Sequence, residues 1–320
     1  MSEPRYVFLD QNHWIYLAQA CQGRPHRSAH KDLLAALWAA VDRDQIRLPI
    51  NYLHLLELAR ASRDRRRADL GEIFELFARG WHVAAWSHIL PRELDRAVAR
   101  VLGLTTIPPL PEVFGRGLFF GLPPSSRVQL QREFGPSAFA RLERIAELPG
   151  AILDVVSTPD EESRHKQSAS IAARAVKDTE AIEMDRQAFR SESKEVLRRV
   201  KMAEYIRSFH EQLRVSLSSV GHDLDSFFSL GPEFAVRFWS EVPSLHVDCE
   251  LTLYRDRQWS RDVEPNDIID IAHMALTVPY CTVVVVERFW ARALKETGVA
   301  QKYGTAVCTD LEELRAFISA

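Results

Sequence analysis

Two short apolar runs constrain this chain most: Tyr6-Val7-Phe8-Leu9 near its start and Val283-Val284-Val285-Val286 near its end. Their β-branched and aromatic residues, and their length, read as strands buried on both faces. Each run stops at a carboxylate, Asp10 in one case and Glu287 in the other. Strands of this kind belong to parallel sheets covered by helices, and such sheets bind ligands at the C-terminal ends of their strands.

The residues between and around the two runs extend the pattern. After Asp10 the sequence predicts a helix, with Asn12 as its cap, broken by Gly23 and Pro25. A second helix is expected over 28–42, with Leu33, Leu34, Leu37 and Val41 on one face. A strand follows at 46–50, then helices at 52–61 and 66–77, and a third strand at 81–86. Residues 105–124 are rich in Pro and Gly and mark a boundary. No Pro or Gly occurs between Pro159 and Gly221. One continuous helix over that stretch would be about 90 Å long, so a helical hairpin is expected. The α/β pattern then resumes. An extended segment is expected at 245–254, a helix at 266–277 after Pro265, the strand at 282–286 and a helix at 289–296. A last strand at 306–308 leads into a closing helix over 311–318, capped by Thr309 or Asp310. The expected fold is α/β, a parallel sheet flanked by helices, formed by 1–104 and 241–320 and interrupted by an all-α insertion, 105–240.

Composition excludes little. Net charge is −3, so any surface for a polyanion is local. The four cysteines form no CxxC pair and sit in apolar runs, as buried free thiols of a reducing compartment do. No secretory leader is recognisable, and no apolar run approaches the ~20 residues that span a bilayer. A cytoplasmic location with no membrane contact is expected.

The acids carry the chemistry. Glu57 lies in Leu53-His54-Leu55-Leu56-Glu57-Leu58-Ala59, and Asp267 and Asp270 lie in Asn266-Asp267-Ile268-Ile269-Asp270-Ile271-Ala272. A carboxylate in an apolar element is costly to bury unless paired or bound to a cation. Several carboxylates at element ends suit Mg²⁺ or Mn²⁺, which take hard oxygen ligands. Each acid also has a plain structural reading. Asp10 can cap a helix, Asp267 can sit in a first turn, Asp270 can face an Arg or Lys, Glu57 can pair with Arg60, and Glu287 can begin a helix. Arg60, Arg63, Arg65, Arg66 and Arg67 form a basic cluster that suits a nucleic-acid backbone or a solvated helix face. His54 and His273, one turn from Glu57 and Asp270, fit satisfied core histidines better than water-activating groups.

On Asp10, Glu57, Asn266 to Ala272 and Val283 to Glu287, the chain resembles the PIN-like nucleases over 1–103 and 243–320. The resemblance implies that the first and fourth strands of the PIN sheet lie side by side. It further implies that Asp10, Glu57, Asp267 and Glu287, with Asp270 as an extra ligand, hold Mg²⁺ or Mn²⁺. The implied reaction is phosphodiester hydrolysis of RNA, leaving 5′-phosphate and 3′-hydroxyl ends, with Arg60, Arg63 and Arg288 contacting substrate. Two features depart from the family: Glu287-Arg288 stands where a Thr-x-Asp pattern is usual, and the insertion is far longer. A non-catalytic scaffold on the same fold, binding a protein partner or nucleic acid, is the alternative; a protein inhibitor or a second copy of the chain is compatible with either reading. A dehalogenase-type phosphatase would need an Asp where Asn12 stands, and no P-loop or dinucleotide fingerprint is present.

Overall fold

A computed structural model describes residues 3–60, 64–148, 150–152 and 161–318, without the side chains of 59–60, 64, 161–168 and 170–172. The chain divides into two compact units. One comprises 1–85, 113–174 and 280–320, and the other 86–112 and 175–279.

The first unit is α/β. Its strands β1 (Arg5–Leu9), β2 (Ile46–Arg47), β5 (Val283–Val285) and β6 (Ala306–Cys308) form a parallel sheet in the order β2-β1-β5-β6. The register pairs Val7 with Val283, Phe8 with Val284 and Leu9 with Val285. Side chains alternate across a strand. Val7, Leu9, Val283 and Val285 share one core with Trp14 and Leu17 of α1 (Gln11–Cys21). Leu33 and Leu37 of α2 (Ser28–Asp42) and Phe74 and Phe77 of α4 (Asp64–Ala78) complete that layer. Phe8 and Val284 point the other way and are equally buried, so both runs are apolar throughout. Between β2 and α4 lies α3 (Tyr52–Arg60).

Strand β3 (Trp81–Val83) departs from the expected sheet. Its neighbour Ile50 bridges to it in parallel, with Ile50 N–H donating to Trp81 O at 3.1 Å. Its other partner is β4 (Phe114–Arg116), which is antiparallel. This strand lies inside the stretch expected to be all helical, 105–240. Two local features hold it there. Phe114 stacks on Tyr6 with ring centroids 3.7 Å apart, and Gly115 leaves room for the Phe120 ring, which a Cβ would meet at 2.5 Å. Trp86 begins α5 (Trp86–Val101) instead of ending a strand.

The second unit is helical. The Gly- and Pro-free stretch forms two helices, Glu161–Ala188, of which residues from 175 on belong to this unit, and Lys194–Ser218. The segment expected to be extended, 245–254, lies in the helix Pro243–Asp256, with Pro at its start, where a missing N–H costs nothing. Leu245, Val247, Cys249, Leu251 and Leu253 alternate like a strand, yet all are buried in a helix. The polar Ser244, Glu250 and Arg255 are buried too, so the helix is enclosed on every side and its periodicity is hidden. Glu93 of α5, itself buried, accepts from Ser244 N–H at 3.1 Å at the N-terminus of this helix. Cys249, Cys281 and Cys308 are buried, but Cys21 is exposed, contrary to expectation. Among the described residues no helix is long and apolar enough to cross a membrane.

Glu250 gives the second unit a measurable pH dependence. Burial raises its carboxyl pKa, but hydrogen bonds from Lys194 at 2.9 Å and Arg198 at 2.6 Å outweigh this and hold it below the usual value. Its contribution is therefore fully present above pH 4.5 and is lost as pH falls through the depressed pKa. Glu250→Gln should cost about 1–2 kcal/mol near neutral pH. The deficit against wild type in urea midpoint should shrink steadily in acid; a deficit independent of pH would show that the ion pairs contribute nothing.

Candidate active site

A parallel sheet gathers the C-terminal ends of its strands on one edge. Here Leu9 is level with Val285, and Asp10 N–H donates to Val285 O at 3.0 Å. Asp10 therefore stands one residue short of Glu287 on the neighbouring strand, with strand axes about 4.8 Å apart. On the far side of β5, Val285 is level with Cys308, which brings Asp310 level with Glu287. Glu287 is exposed and Asp10 half-buried. The Asn12 side-chain amide donates to Glu287 Oε1.

Asp10, not Asn12, is the cap of α1. Its backbone is extended (φ −68°, ψ 168°), and its Oδ1 accepts from His13 N–H at 3.1 Å. The same oxygen lies 2.5 Å from His13 Nδ1, and His13 Nε2 lies 3.3 Å from Thr309 O. Burial lowers the His13 pKa, but the hydrogen bond and charge of Asp10 outweigh it and the net shift is upward. The imidazole thus ties the tip of β1 to the residue after β6. His13 escaped the sequence reading, although its spacing from Asp10, one helical turn, was visible.

Helix α3 is fixed to the same edge. His54 is fully buried. Its Nδ1 accepts from Asn51 N–H at 3.2 Å, so its Nε2–H donates to Leu9 O at 3.0 Å. It is a satisfied core histidine, and its job is to hold the start of α3 against the end of β1. Glu57, three residues on, shares that helix face and is half-buried.

Asp267 and Asp270 belong to the second unit and are described within it. Both open the helix Asp267–Thr277. Asp267 is 1% exposed, and Arg261 grips it with Nη1 to Oδ2 at 2.7 Å and Nη2 to Oδ1 at 2.8 Å. Glu264 N–H adds a third bond at 3.0 Å. The hydrogen bond to Asp267 raises the Arg261 pKa further. Asp267 thus has a guanidinium on both oxygens, while Asp270 is half-buried. Of the basic candidates, Arg288 is exposed beside Glu287, Arg65 and Arg66 are exposed, and Arg67 is buried. Arg63 and the Arg60 side chain lie outside the described residues.

Beyond β6, Asp310 caps the closing 3₁₀ turn in a capping box with Glu313. Burial raises its pKa, but Glu312 N–H, His30 and Arg27 outweigh this and leave it lowered. His30, Asp310 and Glu312 present ligand atoms within 4.8 Å of one another, though Arg27 already holds Asp310 Oδ2 at 2.7 Å. Comparison with protein-family models, curated proteins and solved structures finds no match. The functional reading therefore rests on the residues of this chain.

Asp267→Asn should destabilise the protein by about 3 kcal/mol, the lower end for a broken buried pair, because Arg261 keeps some exposure. Asp267→Asn combined with Arg261→Gln should recover part of that loss in a double-mutant cycle. Strictly additive losses would show that the pair is not coupled.

Proposed function

We propose that this chain is a Mg²⁺- or Mn²⁺-dependent ribonuclease with a PIN-like α/β unit. One observation carries the reading: Asp10 and Glu287 end two hydrogen-bonded parallel strands on the edge where sheets of this class bind ligands. The donor set there fits a hard divalent cation. It offers the exposed Glu287 carboxylate, the free Oδ2 side of a half-buried Asp10 and the Asn12 amide oxygen, with Glu57 on the helix anchored beside them. No thiol or unengaged imidazole in this group would favour a softer metal. A cation so held supplies Lewis acidity to a phosphodiester and an activated water. The chain's own part is orientation. His13 fixes the Asp10 rotamer, Asn12 fixes Glu287, and Arg288 offers a positive charge to substrate at the edge. Within the second unit, Asp267 keeps a structural role on Arg261.

A second reading, a non-catalytic binding protein on the same fold, is favoured by the Asp267–Arg261 pair, which occupies an acid that the nuclease reading would use. Metal titration separates the two, since a scaffold binds no Mn²⁺ near neutral pH.

Asp10→Asn and Glu287→Gln should each lower Mn²⁺-dependent cleavage of a labelled single-stranded RNA by about 100-fold or more. Asn retains the capping oxygen but gives up the charge facing His13, so Asp10→Asn should cost about 1 kcal/mol of stability, too little to account for the lost cleavage. Cleavage by wild type that persists in EDTA, or undiminished cleavage by both variants, would remove the nuclease reading.

A further inference from the structure

The basic cluster around Arg65 has a counterpart on the other side of a cleft in the first unit. A cavity of 1010 Å³ opens between the C-terminal half of α1, the residues that follow it and the start of α4. Arg24, Arg65 and Arg66 line it, with Ile15 and Leu70 as apolar floor and Asp69 as the one acid among the described residues. Arg24 donates to Gln22, and Arg65 and Arg66 make no ion pair among the described residues. Arginines elsewhere in the molecule are commonly matched to an acid, as Arg47 is to Asp44, Arg79 to Asp42 and Arg261 to Asp267.

Two of these charges stand where the protein alone disfavours them. Arg24 follows the C-terminus of α1, where the helix dipole welcomes a cation. Arg65 and Arg66 fall in the first turn of α4, where the dipole already presents positive charge and cations are disfavoured. A helix N-terminus crowded with guanidinium groups and facing a cleft is relieved by an anion. His26 also lines the cleft and is exposed. Its ring lies parallel to Tyr16 at 4.2 Å and 9°, with His30 tilted against it at 6.2 Å, and its exposure gives a stacking base access to it. Guanidinium groups with no ion pair among the described residues, beside an exposed imidazole, match single-stranded nucleic acid: phosphates to the arginines, a base on the imidazole.

We infer that this cleft binds the single-stranded RNA tract flanking the scissile phosphate. This rests on the ribonuclease reading for the location of the scissile bond. Helix α1 links the two places, since it starts at Asp10 and its cleft-lining residues run from Ile15 to Gln22. At 1.5 Å per residue they lie about 8–18 Å from Asp10 along the helix axis. A strand leaving the acidic edge along α1 meets the arginines within its next few nucleotides. A substrate that ends at the edge does not reach them.

The test is fluorescence anisotropy of labelled oligoribonucleotides in EDTA, where neither metal nor cleavage enters. Wild type should bind an oligomer of about twelve nucleotides more tightly than one of about four. Arg24→Gln, Arg65→Gln and Arg66→Gln together should weaken the longer one about tenfold or more and flatten the salt dependence by about two log units per log unit of salt. Asp69→Asn should tighten binding, which an unfolded variant cannot mimic. His26→Ala should weaken binding while keeping the salt slope. Unchanged affinity and slope in the triple variant would overturn the cleft whatever the nuclease assay shows. Equal competition by polyglutamate and RNA would overturn it as an RNA site. Arginine-dependent binding by a protein that cleaves nothing would uphold the cleft and remove the nuclease reading alone.

Discussion

The pairing of β1 with β5 is the interaction on which the rest of the first unit depends. It joins residues more than 270 positions apart in the chain, Val7 with Val283 and Leu9 with Val285. Loop-closure entropy grows only slowly with length, so a long excursion between the strands is thermodynamically tolerable. The register must nevertheless be right. A slip of one residue would turn Val7 and Leu9 away from the layer of α1, α2 and α4 and change the offset between Asp10 and Glu287. Apolar residues on both faces fix the sheet as a buried one; the Asp10 N–H bond to Val285 O and the Asn12 contact to Glu287 mark where the pairing ends.

Buried polar groups organise the second unit in a different way. Arg186 is almost fully buried and donates to the carbonyls of Asp256, Gln258 and Arg261 at 3.3, 3.0 and 3.2 Å. Arg261 in turn grips Asp267, so the turn after the Pro243–Asp256 helix is held by one guanidinium and holds the next helix with another. Glu93 and Glu250 add further buried carboxylates with partners on neighbouring helices. Such groups cost desolvation, and their satisfied geometry favours one packing over others.

Much of the α/β frame was legible because its signals are local. The strand at Ala306–Cys308 and the helix at Ser28–Asp42 follow directly from short apolar runs and periodicity. The sequence misled where neighbours decide. Pro243–Asp256 carries a period of two because a helix enclosed on every side has no polar face to show. Strand β4 contains Gly115 and is followed by Gly117 in a Pro-rich stretch, and its pairing with β3 and the Tyr6–Phe114 stack are invisible in the local sequence. Around the site, Asp10 and Glu287 were readable as acids at strand tips. Their partners were not, since Asn12 and His13 acquire meaning only when β5 and β6 come alongside. Asp267 looked like a ligand because its apolar helix demanded a countercharge; the countercharge within its own unit is Arg261, six residues earlier.

The two edge acids differ in what else they do. Asp10 starts α1 and anchors His13, so a chain with no use for a cation would still gain by keeping it. Glu287 makes no side-chain cap for the helix it precedes and stands exposed to solvent. Among relatives of this chain, drift at position 287 is thus the more sensitive record of lost chemistry, and an intact Asp10 says more about folding than about activity.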